Sequence, residues 1–441
     1  MHILISGAGI AGPTLAYWAA KAGARVTVVE KAASFLASGQ NIDVSGSALE
    51  IIDKMGLMDE LRRLNTTENG TQLIDQRGHP FAKFPVKEGG ASPTSEFEIL
   101  RGDLATMLYE ATKNLPNITY HFYTTVQKVL SNDNDKVQVQ LSTGATHSYD
   151  LLVAADGQWS KIRTQCFPAE SIRVVDKNMM AVYATIPRIP SDNNWWNIYF
   201  ALGSRIVATR PDPYGTIRAT LTRMPCNAAQ KEAWQAVARS GPKAQKELLR
   251  REFADAGWQA QRLLDGMEKA EDFYLHVFQQ IKMSTWSTGR VICLGDAAYA
   301  PTPLSGSGAG IAIIGAYVLA GELSKLILKP DENGSENVSE IEHPRTALHA
   351  YENIFRPFVE QTQGIPFFFP AIVHPETPFK RWLTQTFLWT LSKLVAIPWV
   401  VKLFGGGQDE KEEDLPLPSY ARFEPGGAVG AEEEKTAVLD R

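Results

Sequence analysis

Residues 2–12 read His2-Ile3-Leu4-Ile5-Ser6-Gly7-Ala8-Gly9-Ile10-Ala11-Gly12, an apolar run that ends in a glycine turn before the chain becomes helical. The pattern predicts a strand, a tight turn and a helix. Gly7 permits the turn, Gly9 lets the backbone approach a pyrophosphate, and Gly12 lets the helix pack on the strand. The free N–H groups of the helix start then face the anion. Pro13 suits the first helical turn, where no intrahelical N–H bond is needed.

Outward from this stretch, the helix ends at Gly23 and a second apolar strand, Arg25-Val26-Thr27-Val28-Val29, ends on Glu30. An acid at the end of the second strand, ~20 residues past the glycines, accepts the hydroxyls of an adenosine ribose. A 2′-phosphate would repel it, so an unphosphorylated ribose is expected. Strand, turn, helix, strand and acid in register predict dinucleotide binding.

The chain has 441 residues, more than one ordinary core, and a formal net charge of -5. With no cluster of Lys or Arg interleaved with aromatics, nucleic acid is not the expected partner. Cys166, Cys226 and Cys293 are too scattered for a disulfide framework, and the histidines show no metal-ligand spacing, so no metal is expected. A strand at residue 2 leaves no room for a signal peptide, which predicts a cytoplasmic protein.

Two further pieces point to the same ligand. Residues 151–155, continuously apolar as in a strand buried on both faces, end on Asp156-Gly157, and Ser160 can cap the next helix. Residues 290–294 form another buried strand ending on Gly295-Asp296. Pro301 and Pro303 stiffen the next loop, and Gly306-Ser307-Gly308-Ala309-Gly310 opens a helix.

Together the three pieces resemble the single-component (class A) FAD-dependent aromatic hydroxylases typified by p-hydroxybenzoate hydroxylase, with closest likeness to the tetracycline-inactivating branch. The resemblance covers about residues 1–330. It implies an α/β fold: a Rossmann-type (GR2-like) FAD-binding domain with an inserted antiparallel β-sheet substrate domain and a C-terminal helical region. The expected divisions are 1–75, 96–172 and 273–330 for FAD, 76–95 and 173–272 for substrate, 341–405 for the helical region, and 408–441 for a disordered acidic tail.

The resemblance implies FAD contacts from Gly7, Gly9, Ala11, Gly12, Glu30 and Lys31 on the ADP half. It adds Arg101, Asp156 and Gly157, Asp43 on a mobile flavin-adjacent loop, Asp296 at the ribityl chain, Pro303 beside the ring, and Gly308, Ala309 and Gly310 at the flavin edge. NADPH or NADH is implied as a transient co-substrate, since no second glycine fingerprint follows a strand. The implied reaction is hydroxylation by O2, through a flavin C4a-hydroperoxide, of an electron-rich aromatic or enolic small molecule, expected to be polycyclic. Tyr183, Tyr199 and Arg210 are the pocket candidates, and no protein base is identified.

The chain departs from the family at Tyr299, where many members have His, and at Gly310 and Gly315, where they have Asn and Asp. These changes keep open the alternative of a catalytically silent FAD-binding protein. A halogenase or reductase is the other alternative, although Trp195-Trp196-Asn197-Ile198 does not fit the halogenase Trp-x-Trp-x-Ile-Pro pattern. The aromatic tract 365–404 is expected to pack over the domains rather than attach to a membrane, because prolines and cations interrupt any span.

Overall fold

The computed structural model describes residues 1–33, 39–86, 96–133, 135–327, 344–365, 369–395 and 414–424. The apolar strands assemble as the glycine motif requires. A six-stranded sheet runs in the order Ser287–Thr288, Val291–Cys293, Leu151–Ala154, His2–Ser6, Arg25–Val29, Ile118–His121. All neighbours are parallel except the first pair. The central strands are buried on both faces, between the helix Ala11–Lys21 and the helix Gly308–Ser324 on one side and the rest of the main core on the other.

The second sheet has seven strands in the order Tyr274–Met283, Ile172–Pro187, Thr216–Arg223, Arg205–Pro211, Trp196–Ala201, Gly70–Ile74, Pro80–Pro85. It is antiparallel apart from the pairing of Trp196–Ala201 with Gly70–Ile74. The boundaries expected at 75/76 and 272/273 therefore shift, because both Gly70–Ile74 and Tyr274–Met283 belong to this sheet. Their alternation found its partners in the insertion and not in the nucleotide-binding sheet.

Alternate residues of Ile172–Pro187 face opposite ways. Met180, Val182, Ala184 and Ile186 pack on the helices Ala228–Ala238, Pro242–Phe253 and Ala260–Lys269, while Met179, Ala181 and Tyr183 lie on the opposite face with Phe278 and Leu304.

Two C-terminal expectations change. Part of the tract read as a tail, 414–424, is built into the main core: Tyr420 and Phe423 are buried, and the Phe423 ring lies 4.6 Å from that of Trp18. Asp414 accepts the Ser47 N–H at 2.7 Å, and Arg422 donates to the Ala22 carbonyl at 2.9 Å. Composition alone read these residues as solvated, but two aromatics inserted between helices outweigh the surrounding Gly, Pro and Glu. The flanking 408–413 and 425–441 lie outside the described residues.

The second change concerns the aromatic tract. Of its aromatics, Phe367, Phe368 and Trp399 and the Phe369 side chain lie outside the described residues, but Trp382, Phe387 and Trp389 on the helix Pro378–Val395 are exposed. The helix docks on Pro80–Pro85 through residues that include Leu388, while Phe379, Leu383, Leu391 and Leu394 are exposed as well. No helix among the described residues is long and apolar enough to cross a membrane.

Candidate active site

The parallel order brings the ends of neighbouring strands to one edge of the sheet, where ligands of open α/β sheets bind. Ser6 pairs with Ala154 and with Val29, and Ala154 pairs with Cys293. Gly7, Glu30, Asp156 and Asp296, which follow these residues, therefore share that edge. Contact between the three sequence pieces is direct. A Cβ on Gly7 would lie 2.4 Å from the Ala155 carbonyl oxygen, and one on Gly12 would lie 2.0 Å from the Gly7 oxygen, so neither position admits a side chain. Ala11 meets Gly295 closely, with 3.2 Å between its Cβ and one built on the glycine.

Gly9 differs from its neighbours: a Cβ there would meet nothing within 4 Å, which leaves an open approach to the helix start. The helix Ala11–Lys21 has neither a side-chain cap nor an acid in its first turn. Its leading N–H groups are unsatisfied by the helix itself and suit a pyrophosphate. Glu30 is held beside this turn, accepting the Ala8 N–H and the Ala32 N–H, both at 2.9 Å. Each carboxylate oxygen keeps a further lone pair for a ribose hydroxyl.

The helix Gly308–Ser324 also starts without a side-chain cap or acid. Thr302, between Pro301 and Pro303, has the left-handed φ of 80°, unusual for a β-branched residue, and its buried hydroxyl has no partner among the described residues. Asp156 accepts the Lys161 N–H at 3.1 Å through one oxygen, while the other is buried and unpartnered. Asp296 carries no hydrogen bond to a described residue, and burial raises its pKa against the pull of Arg101. Burial likewise raises Asp156, against its Ser160 hydrogen bond. An open cradle with unpartnered polar atoms and two bare helix starts is the donor and acceptor set that FAD requires, so these residues fit the cofactor. Pro303, Gly308, Ala309 and Gly310 belong to the 301–306 loop and the following helix start, while Lys31 comes two residues after the strand Arg25–Val29 and Asp43 ends the strand Asn41–Asp43.

Arg101 opens the helix Arg101–Glu110 and donates its N–H to the Gln40 carbonyl at 3.0 Å, tying it to the strand Asn41–Asp43. Its charge is felt at Asp296, Tyr274 and His276. Sequence reading missed Tyr274 and His276. Tyr274 stands opposite Tyr183 in the sheet and His276 opposite Ala181, and the two tyrosine rings stack with centroids 5.1 Å apart. The Tyr274 hydroxyl donates to Gln40 Oε1. Burial raises both phenols, and burial with Arg101 lowers His276 to about 4, so at neutral pH the trio is uncharged. His276 Nε2 is buried without a partner.

Of the pocket candidates, only Tyr183 lies on this face of the sheet, with Met179, Ala181, Phe278 and Leu304. Tyr199 lies on the helix side of the sheet, its ring 6.2 Å from Trp258 and its hydroxyl 3.4 Å from Arg381. Arg210 is held by Glu68 at 2.9 and 3.0 Å, pairs with Glu98, and lies 4.2 Å over the Trp196 ring. Its charge is taken up between the seven-stranded sheet and the strand Glu98–Leu100. Arg163, also missed, joins two of the motifs by donating to the Ala297 carbonyl and to the Gln158 carbonyl, each at 2.7 Å.

Residues 1–345 match the family described as FAD binding domain. Over 427 residues the chain is 34% identical to the monooxygenase CTB7 of Cercospora beticola, covering 94% of this chain and 97% of that protein. It is also 34% identical to the flavin-dependent monooxygenase eupH of a Phoma species, covering 88% and 90%. Among solved structures, tetracycline destructase Tet(51) superposes with a TM-score of 0.72 at 25% identity, covering 95% of this chain and 99% of that one. HpxO of Klebsiella pneumoniae, solved with FAD and uric acid, shares the fold with a TM-score of 0.65 at 18% identity, covering 93% and 98%. The chain is an FAD-binding oxidoreductase and belongs to the flavin-dependent monooxygenase family.

Proposed function

We propose that this enzyme uses NAD(P)H and O2 to hydroxylate an electron-rich aromatic or enolic, polycyclic small molecule in the chamber between the 301–306 loop and the cofactor-facing side of the seven-stranded sheet. The observation that carries the reading is the trio Tyr183, Tyr274 and His276, uncharged polar groups set in an apolar wall of Met179, Ala181, Phe278 and Leu304. The stacked tyrosines offer a flat surface to fused rings. Neutral His276 accepts a hydrogen bond from one substrate hydroxyl, and the positive charge of Arg101 favours ionisation of a second phenol or enol, which gives its proton to solvent and leaves a more electron-rich ring carbon. The bound flavin supplies the activated oxygen. A solved relative named as a tetracycline destructase supports a fused-ring substrate. The proposed FAD contacts are the residues named for the cradle above.

The single glycine fingerprint implies that the nicotinamide cofactor visits transiently, so flavin reduction should accelerate when substrate fills the chamber. The test is anaerobic reduction with NADPH, then admission of oxygen, with a panel of fused phenols and enols. A product heavier by one oxygen atom, formed in step with NADPH consumption, is expected. NADPH consumption that yields only hydrogen peroxide with every panel member would overturn the reading.

A further inference from the structure

The helix Pro378–Val395 is built inside out. Its Thr384 and Ser392 are only 7% and 8% exposed, while Phe379, Trp382, Phe387 and Trp389 are 68%, 59%, 55% and 48% exposed. Leu383 and Leu394 extend the same apolar surface. Exposed aromatic and leucine side chains in this number on one helix mark a contact site rather than ordinary solvent exposure. The helix contains the cations Lys380, Arg381 and Lys393 and no carboxylate. Lys380 is exposed and pairs at 2.9 Å with Glu376, which precedes the helix, and Arg381 turns toward the Tyr199 hydroxyl.

We propose that this helix lies flat on an anionic lipid surface, with its aromatic side chains at headgroup depth and Lys380 and Lys393 against the lipid phosphates or carboxylates. Three features select this occupant. Trp and Phe interleaved with Lys and Arg are the composition of helices that rest in a membrane interface. The absence of any carboxylate on the helix matches an anionic surface. A second copy fits less well, because antiparallel pairing of two such helices would bring Lys380 of one toward Lys393 of the other, and Glu376 is already paired with Lys380. The contact is surface attachment, since no described helix can span a bilayer. It places the protein at the boundary where an apolar fused-ring molecule partitions, and it does not depend on the reaction proposed above.

The test uses full-length, FAD-loaded protein in flotation with vesicles of phosphatidylcholine alone and of an equal mixture with phosphatidylserine. Binding to the mixed vesicles is expected, with little to neutral ones and weakening as salt rises. The double variants Trp382→Ser/Trp389→Ser and Lys380→Glu/Lys393→Glu should each bind the mixed vesicles at least roughly ten-fold less well, from lost apolar burial and from charge near an anionic surface. Flavin content and melting temperature should not change, because these side chains are exposed. Vesicle binding that is indifferent to both double variants would overturn the proposal. So would an absence of vesicle binding, including the case of a dimer that Trp382→Ser/Trp389→Ser dissociates.

Discussion

The Tyr299 hydroxyl occupies the space that a side chain at Gly315 would fill: a Cβ built on Gly315 would lie 2.3 Å from it. Two of the three departures read from the sequence, Tyr299 and Gly315, are therefore one packing arrangement. Tyr299 reaches into the gap left by the glycine and meets the Tyr351 hydroxyl at 2.9 Å, in a buried aromatic cluster with Trp286 and Phe355. Gly315→Ala should destabilise the protein by ~1–3 kcal/mol through overpacking. Adding Tyr299→Phe should recover part of that loss, and chemical denaturation of the single and double variants measures it. Equal stability of Gly315→Ala and wild type would separate the two positions.

Asp296 should show opposite effects on cofactor and on fold. Its pKa is raised by burial, so above the ordinary carboxylate range the ionised group weakens the apoprotein. Asp296→Ala should weaken FAD binding by ~1.5–3 kcal/mol, as for a lost hydrogen bond to a charged group, while the apoprotein melts no lower than wild type. Titration of apoprotein with FAD, followed by flavin fluorescence, measures the first effect. A variant that melts lower yet binds FAD normally would assign Asp296 a structural role.

Glu30→Ala should act differently, because Glu30 also holds the Ala8 and Ala32 N–H groups. Both FAD affinity and apoprotein stability should fall, each by ~1–3 kcal/mol. A loss confined to FAD affinity would mean that the glycine turn holds its shape unaided.

His276 and His374 are both held neutral by burial, with pKa values of about 4. The unfolded chain takes up these protons near pH 6.5, so their contribution to stability is present above pH 6.5 and is lost as pH falls toward 4. For a buried histidine the loss is on the order of 3 kcal/mol. Between pH 6.5 and 4 the melting temperature of His374→Gln should therefore fall less than that of wild type. Parallel curves would show that His374 does not contribute to acid lability.

Removing residues 408–441 should damage the protein. Tyr420 and Phe423 are buried, and Gly321 leaves room for the Tyr420 ring, 2.1 Å from where a Cβ would sit. Either residue changed to Ala should cost ~3–5 kcal/mol. Truncation after Gly407 should lower both melting temperature and flavin content, and retention of both would show that the core closes without this segment.

The cofactor side was legible because each of its groups is local: Gly7, Glu30, Asp156 and Asp296 follow apolar strands within a few residues. The chamber was not, because it depends on register between distant strands. That His276 shares the sheet face of Ala181 and Tyr183 follows from its pairing with Ala181, and the bulge between Asp176 and Met179 lies in that same pairing. Alternation placed Tyr183 and Tyr199 on strands but could not say which face each strand turns to the flavin. The exposed helix misled for another reason: aromatic content predicts burial only when a partner surface within the chain is available.

The segment that ends in Phe423 also sets an order of events during synthesis. Trp18 stands in the first helix of the glycine motif, yet its neighbours Tyr317 and Phe423 are made hundreds of residues later. The strand Val291–Cys293, which brings Asp296 to the sheet edge, is late as well. A nascent chain can thus form the glycine turn early but must hold this face of Trp18 open until Tyr317 and Phe423 have been made. The rate of flavin capture is therefore expected to report on docking of the segment that ends in Phe423 rather than on folding of the glycine turn.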